Sequence, residues 1–133
     1  MKLKFYIVGL LLGFTCISHA QTNSSGSGNW SDGTVWSTGA VPAATATVNV
    51  NHPLVLDQNI SITTGTYNLF QNVTDIAGGS NFTLSLITAG GTLDVKAGTT
   101  TFEGTAAIDN STLIVRNGAT LILGTTTLDN GAA

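Results

Sequence analysis

The sequence predicts an all-β protein built as a parallel β-helix, a solenoid whose coils hold about 20 residues each. Three observations carry this. Residues 91–110, GTLDVKAGTTTFEGTAAIDN, align without a gap on residues 111–130, STLIVRNGATLILGTTTLDN, and residues 71–90 are a fainter copy in which Ala77-Gly78 matches Ala97-Gly98 and Phe82 matches Phe102. Apolar residues alternate with polar ones over short stretches, as at Val48 and Val50, Leu54 and Leu56, and Ile60 and Ile62, which is the period of a strand with one buried face. Those stretches are broken by Gly, Asn and Pro, and no apolar stripe of helical period occurs beyond Ala20.

Each repeat unit divides into three β-like runs, in the first unit roughly 92–96, 99–103 and 105–108, separated by Gly or Asn. Leucine-rich repeats have a similar period, but they need an L-x-x-L-x-L-x-x-N pattern that this chain lacks. Three strands and three corners per turn describe a β-helix whose coils stack about 4.8 Å apart in parallel register. Like residues then lie over one another. Leu93 and Val95 are expected to point inward above Leu113 and Val115. Phe82, Phe102 and Ile122 are expected to form one inward column, and Ile108 and Leu128 another. Gly98, Gly118, Gly104 and Gly124 are expected at corners that need positive φ. Asn110 and Asn130 suit the same conformation, and their stacked amides can form a ladder.

The N-terminal segment, Met1 to Ala20, has a different character. Lys2 and Lys4 precede the apolar run Phe5 to Cys16, and Ser18 and Ala20 are the small residues of a cut site, so residues 1–20 read as a secretory signal peptide cleaved after Ala20. The apolar run is shorter than the roughly 20 residues that span a bilayer. The chain is therefore expected to be secreted, or held at the outer cell surface, without membrane insertion of its mature part. Cleavage removes Cys16, the single cysteine, and with it any disulfide, thiolate metal site or cysteine nucleophile. It also removes His19, Lys2 and Lys4, leaving Lys96 and Arg116 as the only basic residues against seven acids, a net charge of −5. Such a chain has no basic tract to neutralise phosphates, which excludes a nucleic-acid partner.

The remainder divides into a small-polar segment, 21–28 (QTNSSGSG), expected to be a flexible linker; an N-terminal cap with the first strands, 29–62; and β-helix coils over 63–133. The stretch N-W-S-D-x-x-x-W-S-x-G-x-V-P, here Asn29, Trp30, Ser31, Asp32, Trp36, Ser37, Gly39, Val41 and Pro42, resembles the opening of secreted bacterial β-helix and adhesin-like proteins. It is also similar to the extracellular domain named for its eight glycines, though that glycine pattern is not reproduced. The resemblance implies a right-handed β-helix with the tryptophans covering the first coil. Its relatives include adhesins, polysaccharide-binding surfaces and enzymes, and no catalytic residue carries over.

The candidate sites each have a plain structural reading. Asp109 and Asp129 are expected to stack one coil apart; they could share Ca²⁺, although a calcium site needs 6–8 oxygens, or each could cap its own corner. Asp94 and Lys96 share an outward face and can pair with each other or with Arg116 as a solvated ion pair. His52 has no Ser-His-Asp partners in view. Trp30 and Trp36 could stack on a sugar or close the end of the core. Thr99, Thr101, Thr105, Thr125 and Thr127 make threonine-rich outer faces of the kind found on ice-binding solenoids, but the gapless alignment sets Leu121 against Thr101 and breaks the row. Six N-x-S/T sequons, at Asn23, Asn29, Asn59, Asn72, Asn81 and Asn110, follow from a composition rich in Asn and Thr.

No catalytic, cofactor or metal residue is therefore assigned. The sequence stops at Ala133, just into a third strict repeat and before any polar cap, so the coils are expected to be truncated and open to self-association at that end. The expected function is a structural, adhesin-like stalk segment without catalytic activity, whose partners are extracellular glycans or other surface proteins. The alternatives are the N-terminal part of a polysaccharide-active β-helix enzyme, and a glycan- or ice-binding module.

Overall fold

The structure, a computed structural model, describes residues 21–75, 82–86 and 90–128. In chain order its strands are β1 (Gln21–Asn23), β2 (Gly28–Asn29), then after a short 3-10 turn (Gly33–Val35) β3 (Thr47–Val50), β4 (Leu54–Leu56), β5 (Ile60–Ser61), β6 (Thr66–Leu69), β7 (Val73–Asp75), β8 (Leu84–Leu86), β9 (Thr92–Val95), β10 (Thr99–Phe102), β11 (Ala106–Ile108), β12 (Thr112–Val115), β13 (Thr120–Leu123) and β14 (Thr126–Leu128). They form three sheets. The first runs β1-β3-β6-β9-β12, the second β2-β4-β7-β10-β13 and the third β5-β8-β11-β14. Every pairing within these sheets is parallel. Each sheet thus takes one strand from each turn of the chain, which is a parallel β-helix.

Thr47 pairs with Thr66, Thr66 with Thr92 and Thr92 with Thr112, so the coils measure 19 (47 to 66), 26 (66 to 92) and 20 (92 to 112) residues. The two strict repeats are the last two coils, and their three strands fall within a residue of the runs expected from the sequence. Segment 21–28 is not a linker: Gln21–Asn23 pairs with Thr47–Asn49 as a full rung, with Thr22 and Ser24 buried. Its polar composition misleads because Thr22 continues the inward column of Val48 while its neighbours face out.

The core consists of columns running along the axis. On the first sheet Val48, Tyr67, Leu93 and Leu113 lie in one, and Val50, Leu69, Val95 and Val115 in the other. On the third sheet Leu86 lies over Ile108, and Ile60 over Leu84 and Ala106. Each large apolar side chain fully buried here contributes about 1.5–3 kcal/mol.

The expected column of Phe82, Phe102 and Ile122 does not form. Phe102 pairs with Leu123, and Ile122 turns outward with 49% exposure. The gapless alignment is kept on the first and third sheets, where Thr92 meets Thr112 and Ala106 meets Thr126, but slips by one on the second, where Thr99 meets Thr120. A slip of one position exchanges the two faces of a strand, and this one turns Leu121 and Leu123 inward in place of Thr120 and Ile122. Phe82 precedes β8 at a corner, half-buried against the core, because the longer coil between Thr66 and Thr92 shifts it away from Phe102.

Gly98 and Gly118 have φ of +73° and +83°, and Asn110 has +45°, as corner residues should. Gly124 serves differently: a Cβ there would collide with the Glu103 carbonyl oxygen, so close approach of successive coils requires glycine. Ala77-Gly78 and Asn130 lie outside the described residues, as do residues 1–20.

On the second sheet Leu54, Val73, Thr100 and Leu121 share one inward column. Thr100 is fully buried there, and its Oγ1 has no hydrogen-bond partner among the described residues. An unmet buried hydroxyl costs about 1–3 kcal/mol. Thr100→Val keeps the shape and removes that cost, so urea unfolding should show a gain of about 1 kcal/mol; a loss of stability would contradict the column assignment.

Candidate functional surface

The outer face of the first sheet is the most regular surface of the molecule. Its strands read TVNV, TYNL, TLDV and TLIV, and the inward positions are taken by the apolar residues. The outward positions therefore form two rows. One is Thr47, Thr66, Thr92 and Thr112, unbroken over four coils. The other is Asn23, Asn49, Asn68, Asp94 and Ile114. Asn49 Nδ2 donates to Asn23 Oδ1 at 2.9 Å, and Asn68 Nδ2 donates to Asn49 Oδ1 at 3.0 Å. Parallel in-register stacking places each amide one rung from the next, so the ladder is a direct product of register.

Asp94 takes the next rung and is only 4% exposed. Arg116 reaches it through Nε to Oδ1 at 2.9 Å and Nη2 to Oδ2 at 2.8 Å, and Lys96 Nζ donates to Oδ2 at 2.7 Å. Arg116 is the main reason that the carboxyl is held down at about 2, with Lys96 adding to it and burial opposing both. The pairing expected for Asp94, Lys96 and Arg116 is present, but the carboxylate is buried beneath its cations rather than freely solvated. Lys96 Nζ also lies 5.7 Å from the centroid of the Phe70 ring, which is 39% exposed.

The N-W-S-D motif builds the lid over the first coils. Trp30 and Trp36 are each 2% exposed, with ring centroids 4.9 Å apart in an edge-on contact, and Trp30 stacks on Tyr67 at 5.9 Å. Trp36 Nε1 donates to the Trp30 carbonyl at 2.9 Å. The Ser31 N–H and hydroxyl both donate to Asp57, and Asp32 caps the 3-10 turn by accepting from the Thr34 N–H. Ser37 Oγ accepts the Asn23 N–H, which fastens the lid to β1. Both indoles are consumed by packing, so neither offers a face to a sugar.

His52 lies beside Ser24, with Nδ1 at 3.1 Å from Oγ and 3.0 Å from the Ser24 carbonyl oxygen. A carbonyl only accepts, so this contact assigns the proton to Nδ1. Ser24 Oγ already accepts the N–H groups of Asn51 and His52 at 2.7 and 3.0 Å. The pair ties one coil to the next and is not arranged as a base beside a nucleophile. Asn59 and Asn72 act likewise, accepting the N–H groups of Thr83 and Thr99 from the following coil. Four of the sequon asparagines, Asn23, Asn59, Asn72 and Asn110, thus have ladder, clasp or corner positions; Asn81 lies outside the described residues.

Thr99 meets Thr120, Thr101 meets Ile122 and Thr127 meets Ala107, so the threonine rows named from sequence are broken on the second and third sheets. The unbroken row on the first sheet escapes an alignment of fixed period, because the coils that carry it differ in length; the recurring T-x-(N/D)-x tetrapeptide is the signal that reveals it. Asp109 follows β11, where its N–H donates to the Leu86 carbonyl, while Asp129 lies outside the described residues. Among the described residues no group of three or more His, Cys, Asp or Glu could hold a metal, and no helix is long and apolar enough to cross a membrane. Compared with protein-family models, curated proteins and solved structures, the chain matches none.

The Asp94 cluster fixes a pH dependence. Its folded carboxyl titrates near 2 instead of 3.8. The stabilisation is therefore complete above the unfolded value and is lost as pH falls through the folded one. Thermal melts between pH 4 and pH 2 should show a smaller loss of stability for Asp94→Asn than for the parent; equal slopes would remove Asp94 from the account.

Proposed function

We propose that the chain is a secreted or cell-surface β-solenoid serving as a structural, adhesin-like stalk segment without catalytic activity of its own. The observation that supports this best is the use to which its reactive side chains are put. His52, Ser24, Asp57, Asn59 and Asn72 each spend their hydrogen-bonding groups on joining one part of the solenoid to another. What remains outward is a repetitive polar face, suited to many weak contacts in a row. The export signal read in residues 1–20 and the resemblance of the N-W-S-D opening to adhesin-like proteins point the same way.

A second reading, a glycan-binding module, is favoured by the unbroken Thr row, which repeats a hydroxyl once per coil over four coils beside the three-rung Asn ladder. Beads coated with the purified protein should adhere to surfaces carrying extracellular glycans or proteins, and incubation with a panel of polysaccharides should release no new chain ends. Sustained release of sugar fragments would overturn the non-catalytic reading.

A further inference from the structure

The corner between the first and second sheets carries a row of its own. The Phe70 N–H donates to the Val50 carbonyl, that of Lys96 to Leu69 and that of Arg116 to Val95, so Phe70, Lys96 and Arg116 follow the first-sheet strands of three successive coils at one position. Lys96 and Arg116 are the only basic residues of the chain beyond Lys4, and they fall together beside the exposed ring of Phe70. Apart from Asp94, the acids among the described residues lie elsewhere. Asp57, Asp75 and Glu103 sit where the chain leaves the second sheet, Asp32 is in the lid, and Asp109 is between the third sheet and the first.

Stability alone does not call for this arrangement. One carboxylate, Asp94, needs one cation for neutrality, and Arg116 already meets it with two hydrogen bonds. Lys96 makes the cluster net positive on an acidic protein. Phe70 beside it keeps 39% of its surface exposed, which leaves ring area open to a ligand. The same parts make sense as a receptor. Asp94 holds the guanidinium by Nε and Nη2, which orients it and leaves Nη1 without a partner among the described residues. A fixed guanidinium edge suits a carboxylate, and an aromatic face suits the C–H face of a pyranose ring. Beside this corner runs the Asn row of the earlier coils, and beyond it the Thr row, whose hydroxyls recur about every 4.8 Å along the axis and so meet a polymer lying along the solenoid once per coil.

We infer that this corner and the adjoining face of the first sheet bind a linear acidic polysaccharide, a polyuronate, with Phe70 stacking on a sugar ring and Arg116 and Lys96 receiving its carboxylates. The inference rests on the glycan-binding reading and adds the class of glycan and the residues that select it. It is tested by electrophoresis of the purified protein through gels containing polygalacturonate or alginate, with a neutral β-glucan gel alongside. The polyuronate gels should retard the protein, less so at high salt, and the neutral gel should not. Phe70→Ala and Arg116→Gln should each weaken retention about tenfold with unfolding still cooperative, at a lower midpoint for Arg116→Gln because Asp94 loses its two hydrogen bonds, and Thr127→Ala on the third sheet should leave both retention and melting unchanged. Equal retention by neutral and acidic gels, or full retention by both corner variants, overturns the acidic-glycan inference but leaves the broader glycan reading standing. No retention by any glycan overturns both.

Discussion

Parallel stacking in register is the constraint from which the rest of this molecule follows. It sets each residue about 4.8 Å from its counterpart one coil on, so what one coil presents at a position, the next must match or satisfy. Inside, that condition is met by apolar columns such as Val50, Leu69 and Val95, each buried. Outside, it turns single asparagines into a ladder in which each amide serves its neighbour. Asp94 departs from the pattern, and the carboxylate it sets in the amide row is held well below its usual titration range by Arg116 and Lys96, which both bend over it.

The same constraint explains why so many polar residues that look chemical in the sequence are structural in the fold. A solenoid corner interrupts the ladder and exposes backbone N–H groups that must find acceptors. Ser24 takes two of them, while Asn59 and Asn72 take one each. The two tryptophans are structural as well, since the indoles pack on each other and on Tyr67 within the core of the first coils. Side chains committed in this way are held in place, which favours a surface that presents groups over a site that moves protons.

Much of the fold is legible because a repeat states its own register. The alternation at Val48, Val50, Leu54 and Leu56 marks the inward faces, and the aligned Leu93 and Leu113 form a true column. Gly98, Gly118 and Asn110 occupy the left-handed corners assigned to them. The alignment misleads where equal spacing in sequence is not equal height in space. It sets Phe82 over Phe102, although the longer coil between Thr66 and Thr92 moves Phe82 to a corner. It sets Ile122 inward, although a slip by one position on β13 turns Leu121 and Leu123 toward the core in its place.

The sequence by itself determined the architecture, since period and alternation are local properties that survive in one dimension: strands of a few residues, three to a coil, with glycine where the backbone must turn. Only the tertiary structure decided the surface. The Thr row, the Asn ladder and the gathering of Phe70 with Lys96 and Arg116 join residues from coils of unequal length; the 20-residue period links Thr92 to Thr112 and Lys96 to Arg116, but no single spacing reaches the earlier members. Which residues become neighbours across coils depends on where each loop takes up its extra length, and that is settled by packing the apolar columns, not by the order of the chain.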